Sequence, residues 1–199
     1  MPTQLEPRPE GGGHPASSGA VAVHLEAGIL FGANLEDPEG AIARASEAMR
    51  GIAGFRFLAG SSLWSTDPVG GPPGQPPYLN RAEIWLCPPD PILVVRELLR
   101  VEASLGRVRR ERWGPRVIDI DLLYLGGLVS RDEEALVPHP RLSGRAFALY
   151  PLLEVRPGWI HPETGFSVES LVAALPSGSE RTVRKLSPPA PDRKPLPIV

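Results

Sequence analysis

Residues 90–125 read DPILVVRELLRVEASLGRVRRERWGPRVIDIDLLYL. Asp90 followed by Pro91 is a helix start, because a short acid caps free N–H groups and proline is preorganised at the first helical position. Leu93, Val94, Leu98, Val101 and Leu105 then recur at helical spacing, which gives one apolar face, and Gly106 is the stop. Arg107–Arg116 packs five arginines into ten residues. Beyond it, Val117–Leu125 has the β-branched and aliphatic content of a strand. A helix that feeds a strand in this way is one half of a split βαβ arrangement.

The other half lies upstream. Ala20–Leu30 is apolar and partly alternating, a strand. Asp37-Pro38-Glu39 repeats the cap-plus-proline device with an acid in the first turn, and the helix runs to Arg50 before Gly51. Phe55–Trp64 reads as a second strand and Arg81–Leu86 as a third. The order strand, helix, strand, strand, helix, strand predicts an α+β fold. It is a ferredoxin-like split βαβ sandwich, an antiparallel-rich sheet with helices packed on it. Two further helices are predicted at Arg145–Val155 and Ser167–Leu175.

Composition sets the limits of this folded body. The chain has 199 residues, 42% of them hydrophobic, which suits one domain with tails and excludes wholesale disorder. Residues 1–19 read as a flexible leader, 20–175 as the single domain, and 176–199, with six prolines, as a disordered tail. The single cysteine, Cys87, excludes an internal disulfide and a thiolate metal cluster. No apolar window is long enough for a membrane span and no secretory signal is visible, so the expectation is cytoplasmic. A formal charge of −2 is too balanced for a protein that coats nucleic acid. Of 25 prolines, five fall in Asp67–Tyr78, where eight of twelve residues are Gly or Pro. A loop of that length between two strands is commonly a functional one.

The chemistry concentrates on Asp119-Ile120-Asp121. On a strand the two carboxylates share a face, with Ile118, Ile120 and Leu122 on the other. Such a pair repels itself unless a cation or a proton intervenes, and Mg²⁺ uses one or two carboxylates together with substrate phosphates. Two ordinary acids on a solvated strand face are the bland alternative. Arg107, Arg109, Arg110, Arg112 and Arg116 supply rigid charged forks for phosphate oxygens, so carboxylates and arginines together make a parts list for phosphoryl transfer. No P-loop or dinucleotide-binding glycine motif is present. Tyr78, Asn80, Trp113 and Phe147 could sandwich a planar heterocycle and read its edge. A non-catalytic module that binds nucleotide or RNA through Trp113 and the arginines is the rival reading.

Arg112-Trp113-Gly114-Pro115-Arg116-Val117-Ile118-Asp119-Ile120-Asp121-Leu122-Leu123 resembles the signature of the 6-hydroxymethyl-7,8-dihydropterin pyrophosphokinases. So do Gly32–Leu35, Thr66–Gly70 with Tyr78–Asn80, Glu102–Arg109, and Val137–His139 through Arg145 and Phe147. The resemblance implies transfer of the terminal diphosphate of ATP to the pterin hydroxymethyl group, releasing AMP. Asp119 and Asp121 would hold two Mg²⁺ ions, and Arg107 and Arg116 would stabilise the transferring and leaving phosphates. Glu102, Arg109, His139 and Arg145 would join those two arginines on the ATP side. Thr66, Pro68, Val69, Tyr78, Asn80, Trp113, Asp119 and Phe147 would take the pterin. ATP and the dihydropterin are then the partners, with no nucleic acid or membrane, and a monomer is expected, a weak dimer being the alternative.

Overall fold

The computed structural model describes residues 23–68, 74–107 and 116–186. Strand β1 (Leu25–Ala33) leads to helix α1 (Pro38–Arg50), strands β2 (Arg56–Gly60), β3 (Trp64–Thr66) and β4 (Tyr78–Cys87), helix α2 (Pro91–Ser104) and strand β5 (Asp119–Leu125). Helices α3 (Ala146–Val155) and α4 (Val168–Ala173) and strand β6 (Val183–Lys185) follow. The sheet order is β5-β1-β4-β3-β6, with β2 also paired to β4, and every pairing is antiparallel. This is the split βαβ sheet that the sequence predicts.

Both helix starts form as the sequence dictates. Asp37 accepts from Gly40 N–H at 3.0 Å, and Asp90 accepts from Ile92 and Leu93 N–H at 3.0 and 3.1 Å. The α2 stop is Gly106, whose φ of +83° is a conformation that glycine adopts at little cost.

The sheet buries both of its faces. Ala27, Ile29, Phe31 and Ala33 of β1 and Ile120 and Leu122 of β5 pack with Ala41, Ile42 and Met49 of α1 and Val94, Leu98 and Val101 of α2. The opposite face carries Leu30, Ala82, Ile84, Leu123 and Tyr124 against Leu149 and Leu152 of α3 and Leu171 of α4. Glu83, fully buried on β4, accepts from Ser46 Oγ (2.9 Å) and Trp85 Nε1 (3.0 Å) and pairs with Arg81 (3.2 Å). It thereby ties the sheet to α1.

Two expectations change. The predicted strand Phe55–Trp64 is two strands, since the sheet breaks at Ser61–Leu63, where Ser61 Oγ accepts from Ala82 N–H at 3.0 Å and Glu154 caps Ser62. The predicted disordered tail begins too early. Residues 179–182 form a 3₁₀ turn and Val183–Lys185 add strand β6 to the edge of β3, so folded structure continues past Leu175 to at least Lys185, and residues 187–199 of the predicted tail lie outside the described residues. Backbone pairing, rather than apolar patterning, holds this segment.

Candidate active site

One row of residues crosses four strands at the open end of the sheet. Asp119 on β5 lies opposite Gly32 on β1, Gly32 opposite Asn80 on β4, and Asn80 opposite Trp64 on β3. Two rows on, on the same face, Asp121 lies opposite Leu30. The period-two geometry of β5 turns both carboxylates away from Ile120 and Leu122 and toward the α3 face of the sheet. Gly32 keeps this floor low, because a Cβ there would stand 3.1 Å from Asn80 Oδ1. Asn80 in turn donates to Thr66 Oγ at 2.8 Å, and both residues are buried.

Three arginines converge on the two carboxylates. Arg107 Nη1 lies 2.7 Å from Asp119 Oδ1 and also contacts Glu102, while Arg116 Nη1 lies 2.5 Å from Asp119 Oδ2. Arg145 Nη1 stands 3.1 Å from Asp121 Oδ2 and 3.3 Å from His139 Nε2. Burial, and then the charge of Asp121, raise the Asp119 carboxyl above the usual carboxylate range against the pull of Arg107 and Arg116. Glu102 is pushed up to about 7 by burial, opposed by the Ile120 N–H that donates to it at 2.7 Å and by Arg107. Burial also lowers His139 and Arg145. The site thus holds many charges in half-buried positions, where each interacts with its neighbours more strongly than at a fully solvated surface.

Two cavities meet at this cluster. The larger, of about 900 Å³, is lined by Thr66, Tyr78, Asn80, Arg145 and Phe147. The smaller, of about 310 Å³, is lined by Leu98, Leu99, Glu102, Arg107, Leu136 and His139. Arg116, Asp119 and Asp121 line both. Two groups bound in the two cavities would therefore approach one another over the carboxylates.

The structure brings together Thr66, Tyr78, Asn80, Glu102, Arg107, Arg116, Asp119, Asp121, His139, Arg145 and Phe147 among the residues the sequence selects. Arg145, grouped by the resemblance with the nucleotide, lines the larger cavity with Phe147, 5.3 Å from its ring. Pro68 is not among the described residues that line either cavity. Val69, Arg109 and Trp113 lie outside the described residues. Cys87 is fully buried and its thiol is pushed up to about 12 by burial, which suits an inert core residue.

In the sequence, Asn34 enters only as part of the Gly32–Leu35 turn, with no role assigned to it. It is buried at the end of β1, its Oδ1 accepts from Arg116 N–H at 2.8 Å, its Nδ2 donates to the Pro76 carbonyl at 3.2 Å, and it hydrogen-bonds Tyr78. Its own N–H donates to the Arg116 carbonyl at 3.1 Å. Nothing local to Gly32–Leu35 signals these partners. Ser179 and Thr182, which line the larger cavity, were hidden in the same way by the proline-rich sequence around them.

A family model for 7,8-dihydro-6-hydroxymethylpterin-pyrophosphokinase matches residues 28–157. The chain is 39% identical over 152 residues to 2-amino-4-hydroxy-6-hydroxymethyldihydropteridine pyrophosphokinase of Methylorubrum extorquens, covering 76% of this chain and 94% of that one. It is 35% identical over 154 residues to the enzyme of the same name from Pseudomonas aeruginosa, covering 77% and 94%. Among solved structures it resembles wild-type Plasmodium falciparum HPPK-DHPS with pterin and p-hydroxybenzoate. The TM-score is 0.58 and the identity 12%, over 76% of this chain and 42% of that longer one, a likeness of fold.

Proposed function

The chain belongs to the 7,8-dihydro-6-hydroxymethylpterin-pyrophosphokinase family, and from that premise we propose how its residues divide the reaction. The enzyme transfers diphosphate from ATP to hydroxymethyldihydropterin in folate biosynthesis. The hydroxymethyl oxygen attacks the β-phosphorus, the bond from that phosphorus to the α,β-bridging oxygen breaks, AMP leaves, and the hydroxyl proton is released. The observation that carries the assignment is the junction of two cavities at Arg116, Asp119 and Asp121.

In this reading the larger cavity takes the pterin. Tyr78 and Phe147 offer ring faces, and Asn80, fixed by Thr66, offers a polar edge on a rigid strand. The smaller cavity takes the nucleotide, its base against Leu99 and Leu136 and its phosphates toward Arg107, Arg116 and His139. Arg107 and Arg116 pair with Asp119, and Arg145 with Asp121. Phosphate oxygens fit the same guanidinium forks and would compete with the carboxylates for them. The arginines then neutralise charge on the transferring and leaving phosphates, and the pocket walls hold the two reactants in line, which is most of what phosphoryl transfer requires.

The carboxylates suit Mg²⁺. Asp119 and Asp121 are hard oxygen donors on one face of a strand, and burial with the nearby charge of Asp121 works against the ionised form of Asp119. Among the described residues no third His, Cys, Asp or Glu completes a cage. That leaves room for phosphate oxygens and water, the ligands Mg²⁺ prefers to keep. When bound, the ions supply charge neutralisation for the triphosphate. We further propose a monomeric, cytoplasmic enzyme that binds no nucleic acid and no membrane, in keeping with a nucleotide substrate and a net charge of −2. Among the described residues no helix is long and apolar enough to cross a membrane.

Incubation with ATP, Mg²⁺ and 6-hydroxymethyl-7,8-dihydropterin tests the whole reading by nucleotide analysis. The expected product is AMP in equal amount to the diphosphorylated pterin, lost when the divalent cation is chelated. Formation of ADP alone, or turnover indifferent to chelation, would overturn it.

A further inference from the structure

The family match ends at residue 157, yet the chain beyond it returns to the substrate site. Strand β6 pairs with β3, placing Val183 opposite Thr66, Arg184 opposite Ser65 and Lys185 opposite Trp64. Asp67 N–H donates to the Thr182 carbonyl at 3.2 Å, and Leu186 N–H to the Leu63 carbonyl at 2.9 Å. These two bonds bracket the three residues of β3 at both ends. A strand of three residues with one edge unpaired is weakly held, so β6 supplies half of the backbone pairing that fixes Thr66.

Side chains reinforce the arrangement. Glu154 on α3 accepts from Ser62 N–H (3.1 Å) and Ser62 Oγ (2.9 Å) and from Trp64 Nε1 (2.9 Å), and pairs with Lys185 Nζ at 3.2 Å. One carboxylate thus joins the helix that carries Phe147, the strand that carries Thr66, and β6. Ahead of β6 the chain turns at Gly178, with φ of +91°, and Thr182 Oγ donates back to the Ser179 carbonyl at 2.8 Å. That turn sets Ser179 and Thr182 into the lining of the larger cavity, with Thr66, Asp67 and Phe147.

We infer that Ser179–Lys185 is the outer wall of the pterin subsite, in which Ser179 and Thr182 face the acceptor substrate and β6 positions Thr66 and Asp67. The inference rests on the assignment of the larger cavity to the pterin. It makes Thr182 a specificity-determining position for the acceptor and Arg184, through its backbone, a positioning one. Neither residue lines the smaller cavity. The nucleotide should therefore not register changes at either.

Three substitutions in the full chain test this, read as KM for the pterin and KM for ATP from AMP release. Thr182→Trp fills cavity space from an exposed position that folding tolerates. It should raise the pterin KM about tenfold while the ATP KM stays within about twofold. Pairs 67/182 and 63/186 are hydrogen-bonded, so the alternation of an antiparallel ladder puts 65/184 in the same class, and Arg184→Pro removes a ladder donor. It should also raise the pterin KM selectively, whereas Arg184→Ala, which keeps the backbone N–H and changes only an exposed side chain, should raise it far less.

Equal effects of Thr182→Trp on both substrates, or on neither, would overturn the inference, as would Arg184→Ala behaving like Arg184→Pro. Should circular dichroism show Arg184→Pro to be unfolded, Thr182→Trp decides alone. A wild-type protein that releases no AMP refutes the underlying reading. An active wild type with three indistinguishable variants refutes only the wall.

Discussion

Asn34 holds together two stretches of chain 42 and 82 positions away, at Pro76 and Arg116. Its side chain lines neither cavity, yet it fixes the backbone from which Arg116 reaches Asp119 and the turn from which Tyr78 enters β4. Asn34→Ala leaves the backbone bond to the Arg116 carbonyl but strands the Arg116 N–H and the Pro76 carbonyl and removes the bond to Tyr78, a loss of about 1–3 kcal/mol for such partly buried groups. We expect KM to rise for both substrates and kcat to fall about tenfold, with the fold retained by circular dichroism. A lowered melting temperature with both KM values unchanged would make Asn34 structural only. The carboxylates and arginines were legible in the sequence because their chemistry shows in residue type and spacing. Asn34 was not, since its role lies wholly in long-range partners that a turn motif does not reveal.

Elements were legible in proportion to their local signals. The two Asp-Pro starts and the apolar spacing of α2 place both main helices to within a residue or two. β6 escaped because three residues among Arg, Lys and Pro have no period to read, and their stability comes from the edge of β3. The break between β2 and β3 escaped because Ser61 and Ser62 are held by distant groups, Ala82 and Glu154. β1 carries a constraint of another kind. A Cβ on Gly28 would come within 2.2 Å of Tyr124 Cε1. That ring cannot retreat, because its hydroxyl donates to Glu26 at 2.8 Å and its face stacks on Trp159 at 4.7 Å. Gly28→Ala should therefore cost about 1–3 kcal/mol in denaturant unfolding, as overpacking does. Gly127→Ala, with open space at its Cβ, is the matched control and should cost far less. Equal midpoints for the two variants would mean that Tyr124 yields freely.

Across the whole molecule, the near-neutral net charge conceals an uneven distribution. Arg107, Arg116 and Arg145 crowd the carboxylates at one end of the sheet, while Glu154 gathers the elements at its β3 edge. Burial alone would raise the Glu154 carboxyl, but hydrogen bonds from Ser62 and Trp64 and the Lys185 ammonium outweigh it and leave it below the usual glutamate range. A carboxyl lowered by folding contributes stability above its unfolded pKa and loses it as pH falls through the folded one. The melting-temperature gap between wild type and Glu154→Gln should therefore be constant between about pH 6 and 8 and should narrow below about pH 4, as the wild-type carboxylate takes up its proton. A gap that persists undiminished to about pH 3 would show that the amide disturbs packing and that the charge is incidental. Since the same carboxylate joins α3, β3 and β6, the variant should also show a raised pterin KM at neutral pH with the ATP KM unchanged. The stability of the fold edge and the shape of the acceptor cavity would then be set by one side chain.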